Sequence, residues 1–80
     1  MKKIQIMGPG CARCKKLADM ADTCAGELEM DYTLEKVTDI NEIVSAGVMQ
    51  TPGLVVDGKI LHSGSVPTKD EMLGLLKKEL

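Results

Sequence analysis

The segment "LVVDGKILHSG", residues 54–64, carries the clearest structural signal in this 80-residue chain. Two aliphatic runs flank Asp57-Gly58, a dipeptide that suits the two-residue type I′ turn of a β-hairpin. The pattern therefore predicts two antiparallel strands. Just after them, "PTKDEMLGLLKKEL" contains Thr68-x-x-Glu71, a capping box that marks the start of a helix. We expect a hairpin followed by a helix over this part of the chain.

The residues before the hairpin alternate between strand and helix patterns. "KKIQIMG" (2–8) and "DYTLEKVT" (31–38) alternate apolar and polar residues and predict strands. Between them, apolar residues recur every three or four positions from Cys11 to about Gly26, which predicts a helix. A short helix should follow, capped by Thr38 or Asp39 and closed by Gly47.

The predicted order is thus strand, helix, strand, helix, strand, strand, helix. Two strands joined through a helix favour a parallel pair with a right-handed crossover. We therefore predict an α/β fold in one domain over residues 1–80, with a mixed four-stranded sheet sandwiched by three helices.

Composition excludes several classes of function. The formal net charge is −2, which gives no electrostatic basis for binding nucleic acid or an acidic membrane. No apolar run approaches the roughly 20 residues that a transmembrane helix needs. The opening "MKKIQIMGPG" has too short an apolar stretch for a signal peptide, so we expect a cytoplasmic protein. We also expect it to be a monomer. Three cysteines in such a chain argue against a structural disulfide framework and favour redox or metal chemistry.

Two of these cysteines form a C-x-x-C motif in "GPGCARCKK", residues 8–16. Cys11 falls where a glycine-rich loop meets a helix, and the unpaired N–H groups of a helix start favour thiolate over thiol. Arg13 and Lys15, with Lys16, add positive charge and are expected to lower the pKa of Cys11. Cys14 lies one turn further into the helix. We therefore expect Cys11 to attack a partner's disulfide and Cys14 to resolve the mixed disulfide.

Two further residues, Cys24 and His62, could take part in chemistry, but we interpret both as structural residues. Cys24 shares the apolar stripe of the first helix, and free cysteine is among the most buried residue types. We interpret it as a core residue. His62 is the only histidine and lies in the last strand, far in sequence from the thiol pair. It is expected to pack on the sheet or its surface rather than to act on a thiol.

With these elements in place, the sequence resembles the thioredoxin superfamily, and within it the small glutaredoxin-like "redox-active disulfide protein" group. The motifs "GPGCARCKKL" and "MQTPGLVVDGKILHSG" carry the resemblance, which covers essentially the whole chain. It implies the fold βαβαββα and reduction of disulfides in substrate proteins. It further implies that Pro52 is cis and that the backbone of Thr51 aligns an extended substrate segment. Gly53 is expected to keep this substrate groove open.

Departures from the family pattern limit what the resemblance implies. Thioredoxin has Trp-Cys-Gly-Pro-Cys, whereas here Gly10 precedes Cys11 and Ala12-Arg13 separates the thiols. The first strand has no counterpart of thioredoxin's buried acid. Glutaredoxin's Cys-Pro-Tyr-Cys and its paired acids are missing, so a thioredoxin-reductase-like flavoprotein is the expected electron source. We expect no cofactor beyond the redox-active Cys11–Cys14 pair, and no metal.

The alternative is a small C-x-x-C metallochaperone that binds copper(I) or zinc, since soft thiolates suit both metals. Such proteins are similar in length and place M-x-C-x-x-C after a first strand. Their element order is βαββαβ, however, and they end on a strand. In this chain the methionine lies four residues before Cys11 rather than two, and a helix follows the hairpin. The sequence therefore favours disulfide exchange over metal transfer.

Overall fold

A computed structural model describes residues 2–10 and 12–79. Among them, four strands and three helices follow the predicted order: β1 (Lys2–Met7), α1 (Ala12–Glu27), β2 (Tyr32–Val37), α2 (Ile40–Ser45), β3 (Gly53–Val56), β4 (Lys59–Ser63) and α3 (Lys69–Lys77). The expected α/β architecture is confirmed. Cys11, the expected nucleophile, lies outside the described residues.

The four strands form one mixed sheet in the order β2-β1-β3-β4. β1 and β2 are parallel, as predicted, with Ile6 opposite Lys36 and Met7 opposite Val37. β3 runs antiparallel to β1 and places Gly53 opposite Met7. The carboxyl ends of β1 and β2 and the beginning of β3 therefore meet at one edge of the sheet, which we call the site edge.

Helices cover both faces of the sheet because residues alternate in direction along each strand. One face packs against α1 and α3, and its fully buried side chains include Ile4, Leu17, Leu54 and Met72. The other face packs against α2 through Ile43, together with a second set of buried residues: Met7, Val37, Val48 and Val55. With no Trp or Phe available, aliphatic side chains and methionine fill both layers, and Cys24 adds to the layer with α1 and α3.

The hairpin turn between β3 and β4 has the predicted geometry. Asp57 and Gly58 both have positive φ, 50° and 81°, as a type I′ turn requires. Asp57 also ties the turn to β1, since its Oδ1 accepts a hydrogen bond from the Lys3 amide at 2.8 Å and its own amide donates to the Lys3 carbonyl at 2.9 Å.

Both predicted helix starts are capped. Asp39 caps α2 by accepting a hydrogen bond from the amide of Asn41 at 2.8 Å. Thr68 and Glu71 form the reciprocal capping box of α3, with both hydrogen bonds present. Within residues 2–10 and 12–79, no helix is long and apolar enough to cross a membrane.

Candidate active site

The candidate site is built at the site edge, where the chain leaves β1. Gly8 follows the last residue of β1, and its amide donates a hydrogen bond to the carbonyl of Val37 at 2.9 Å. This bond holds the beginning of the glycine-rich loop against the end of β2. The edge lies at the carboxyl ends of the parallel strands, where open α/β sheets commonly bind their ligands.

The Cys14 thiol is packed against this fixed stretch of backbone. Cys14 is only 5% exposed and lies in the first turn of α1. A Cβ built on Gly8 would overlap the Cys14 Sγ and would lie 3.4 Å from the Cys14 Cβ. Cys14 is therefore a sheltered thiol, and its accessibility relative to Cys11 stays a prediction.

The Thr51–Pro52 turn lies beside Cys14 at the same edge. The Thr51 Cβ is 3.8 Å from the position that a Cβ on Gly8 would occupy. The Thr51–Pro52 peptide bond is cis, the isomer that the resemblance implied, and Pro52 is buried. The Pro52 carbonyl accepts a hydrogen bond from the Gly64 amide at 3.0 Å, which fixes the turn to the end of β4.

Gly53 is closely packed against buried side chains. A Cβ at this position would lie 2.8 Å from the Val48 Cγ1 and 3.5 Å from the Met7 Cβ. Both contacts are to buried side chains of the layer between the sheet and α2. Close packing in the core therefore disfavours a side chain at this position, and the role of Gly53 in a substrate groove stays a prediction.

A small pocket of about 80 Å³ opens beside Cys14. Cys14 and Lys15 of α1 form one side, and Lys36 and Thr38 at the end of β2 form another. This volume has room for a few water molecules or a carboxylate group. No acidic side chain lines the pocket, and no buried charged residue occurs among the residues that the structure describes.

The expected basic residues do not all occupy the same place. Lys15 lines the pocket with Cys14, whereas Arg13 is exposed on the first turn of α1 and is not part of the pocket wall. Their expected effect on the pKa of Cys11 stays a prediction, because Cys11 lies outside the described residues.

Cys24 lies in the core and does not belong to this site. It is fully buried, and its Sγ lies 3.9 Å from the carbonyl oxygen of Lys69. Burial raises the pKa of the Cys24 thiol, and the nearby Glu27 carboxylate raises it further. A larger groove of about 360 Å³ runs past Cys24 along α1, but a thiol held protonated in this way is a poor nucleophile.

His62 makes a contact within its own part of the chain. Its side chain is half-buried on β4, and Nε2 lies 2.9 Å from the Ser65 hydroxyl oxygen. The structure thus places His62 in a local contact at the end of the hairpin, as the simpler interpretation expected.

Comparison with known proteins identifies the family to which the chain belongs. A family model described as the thioredoxin domain matches residues 2–77. The chain belongs to the thioredoxin family. It is 41% identical over 76 residues to a thioredoxin of Methanothermobacter thermautotrophicus, covering 95% of this chain and 99% of that one. A thioredoxin of Methanocaldococcus jannaschii is 36% identical over 80 residues, covering 100% of this chain and 92% of the relative.

A solved structure supports the fold. The structure of thioredoxin-2, described as a component of malaria parasite protein secretion machinery, matches with a TM-score of 0.69. It covers 98% of this chain and 82% of the other at 18% identity, so the likeness concerns the fold. The thioredoxin-like fold that the resemblance implied is therefore confirmed.

Three residues at the site were missed in the sequence analysis: Gly8, Lys36 and Thr38. Gly8 was interpreted only as a break after the first strand, although a glycine six positions before the second thiol could have suggested a close approach. Lys36 continues the alternation of Tyr32 and Leu34, which places it on the face of β2 that packs against α1. A lysine at a strand position where the alternation predicts an inward-facing apolar residue could have indicated a functional role for Lys36.

Proposed function

We propose that this protein is a dithiol–disulfide oxidoreductase that reduces disulfides in other proteins through Cys11 and Cys14. The observation that carries the proposal is the position of Cys14, buried against Gly8 and beside Thr51 in a chain of the thioredoxin family. A C-x-x-C motif at a strand-to-helix junction with a sheltered second thiol suits sequential attack and resolution.

The proposed reaction has two exchange steps. The Cys11 thiolate attacks one sulfur of the substrate disulfide, forms a mixed disulfide, and releases the other substrate sulfur as a thiolate. The Cys14 thiolate then attacks the Cys11 sulfur, closes the Cys11–Cys14 disulfide, and releases the second substrate sulfur. Two electrons pass from the protein to the substrate, and the released thiolates take protons from water.

The substrate is proposed to lie along the Thr51–Pro52 turn. Proline has no N–H, so position 52 offers no competing donor, while the backbone of Thr51 remains available to an extended segment. Because the Thr51 side chain lies close to Gly8 and Cys14, a segment paired there would hold its disulfide near the thiol pair.

We propose that a thioredoxin-reductase-like flavoprotein returns the two electrons, and that the protein works as a monomer in the cytoplasm. The dithiol itself serves as the redox group without another cofactor. The metallochaperone alternative is disfavoured by the observed element order, since α3 follows the β3–β4 hairpin.

Reduction of a protein disulfide, with dithiothreitol as electron donor, tests the proposal. Cys11→Ser is expected to abolish turnover. Cys14→Ser that has been reduced and then freed of dithiothreitol is expected to accumulate a mixed disulfide with the substrate, visible as a reducible species of added mass. Wild-type-like turnover by Cys11→Ser, or no trapped species with Cys14→Ser, would contradict the assigned roles.

A further inference from the structure

The site edge carries positive charge although the protein as a whole is acidic. The formal net charge is −2. Nevertheless Arg13, Lys15 and Lys16 lie at the beginning of α1, and Lys36 lies at the end of β2. All four side chains are exposed, and the first turn of α1 contains no acidic residue. We call these four residues the basic rim.

The basic rim differs from four of the six other lysines, because those four have a carboxylate partner. Lys2, Lys3, Lys59 and Lys69 each lie within 4 Å of a carboxylate, at distances between 2.9 and 3.9 Å. No residue of the basic rim takes part in an ion pair within residues 2–10 and 12–79. The charges at the site edge are therefore available to an external anion, whereas these other four are already matched within the protein.

Lys36 gives this charge a defined place. It lies opposite Ile6 in the parallel register of β1 and β2, and both residues line the pocket beside Cys14. Lys15 lines the same pocket from α1, and Thr38 adds a hydroxyl group. The acidic residue that follows Thr38 in sequence, Asp39, caps α2 through the Asn41 amide. The pocket thus combines two cations with a hydrogen-bonding group and has no acidic side chain in its wall.

We propose that the protein prefers substrate disulfides flanked by acidic residues, and that Lys36 and Lys15 receive the substrate carboxylate in the pocket beside Cys14. This inference rests on the proposed disulfide exchange. The attraction between opposite charges raises the encounter rate of acidic substrates and lowers that of basic ones. Because the rim is exposed, added salt weakens the preference.

Three matched peptides test the preference. Each contains one disulfide and differs only in the residues next to a cysteine, which are Glu, Gln or Lys. The second-order rate of peptide reduction by the pre-reduced protein is measured at low and high ionic strength. We expect the Glu peptide to react about threefold or more faster than the Gln peptide at low salt, and the Lys peptide to react more slowly. The three rates should converge at high salt.

Two variants locate the effect. Lys36→Met is expected to bring the Glu-to-Gln rate ratio close to one. Lys59→Met removes a lysine at the opposite end of the sheet that pairs with Glu79, and it should retain the wild-type ratio. Equal rates for the Glu and Gln peptides in the wild type would overturn the proposal, as would a ratio unchanged by Lys36→Met. If the wild type reduces none of the peptides, the proposed function itself fails, and this inference with it.

Discussion

The backbone of Gly8 lies so close to the Cys14 Sγ that a side chain at position 8 would occupy the same space as the sulfur. This contact links the end of β1 to the second thiol of the C-x-x-C motif. The Gly8 amide is held by its hydrogen bond to the Val37 carbonyl. The Cys14 thiol therefore packs against a backbone segment that cannot easily move away. Position 8 therefore controls where Cys14 lies.

Gly8→Ala should damage both the fold and the site. The added methyl group forces either the Cys14 sulfur or the end of β1 to move, and overpacking of this kind costs about 1–3 kcal/mol. We expect a lower free energy of unfolding in denaturant titration and a slower disulfide reduction.

Gly74→Ala is the matched control for that change. Gly74 is exposed within α3, and a Cβ there would meet no atom within 4 Å. Alanine is the better helix former by about 0.5–1 kcal/mol, so this variant should be more stable than the wild type with unchanged turnover. Equal stabilities for Gly8→Ala and the wild type would contradict the close contact with Cys14.

Gly53→Ala distinguishes the packing role of Gly53 from a role in the substrate groove. The new Cβ would lie 2.8 Å from the Val48 Cγ1, so we expect a loss of about 1–3 kcal/mol in the free energy of unfolding. Removing the opposing methyl groups with Val48→Ala should make the double variant more stable than additivity predicts, by about 1 kcal/mol. Impaired substrate turnover with unchanged stability would instead favour the groove.

Asp57 should give the wild type a pH-dependent stability. The Lys3 amide, and after it the Lys2 ammonium group, hold the pKa of Asp57 below its ordinary value. A carboxyl group with a lowered folded-state pKa stabilises the fold above its unfolded-state pKa, and that stabilisation is lost as pH falls through the folded-state value.

Asp57→Asn isolates this effect, because asparagine also suits the positive φ of the turn and keeps an oxygen acceptor. The melting temperature of the wild type should exceed that of Asp57→Asn near neutral pH. The difference should shrink as pH falls below about 4, where the unfolded-state carboxyl is protonated. A difference that stays constant from pH 7 to pH 2 would show that the Asp57 charge contributes nothing.

Cys24→Ser tests whether the third cysteine takes part in disulfide exchange. Serine at this fully buried position places a hydroxyl group in an apolar layer, at a cost of about 1–3 kcal/mol. Turnover measured below the melting temperature should stay close to that of the wild type. A large loss of turnover in a variant that remains folded would show that Cys24 takes part in the reaction.

The sequence specified local features well. The Asp57-Gly58 turn, the Thr68 capping box and the parallel β1–β2 pair all depend on residues close in sequence or on general rules of chain connection. Boundaries differ by a residue or so; for instance, Gly26 does not end α1, which continues to Glu27. An exposed glycine weakens a helix without terminating it, because its own backbone hydrogen bonds remain available.

Contacts between distant parts of the chain were harder to predict. The antiparallel β1–β3 pair brings Gly53 next to Met7, and nothing in the alternation of either segment specifies this pairing. The contacts of Gly8 with Cys14 and of Gly53 with Val48 join residues only six and five positions apart, but they depend on packing in three dimensions that neither segment's pattern specifies. Similarly, the position of Lys36 in the pocket wall could not be predicted without the β1–β2 register, which places it opposite Ile6.

A redox equilibrium titration of the Cys11–Cys14 pair at neutral pH, with metal content measured on the same sample, tests the central claim most directly. We expect a reversible two-electron transition in protein that carries no stoichiometric metal. A thiol pair that shows no such transition and instead holds one copper or zinc ion per chain would contradict the assignment as a disulfide reductase.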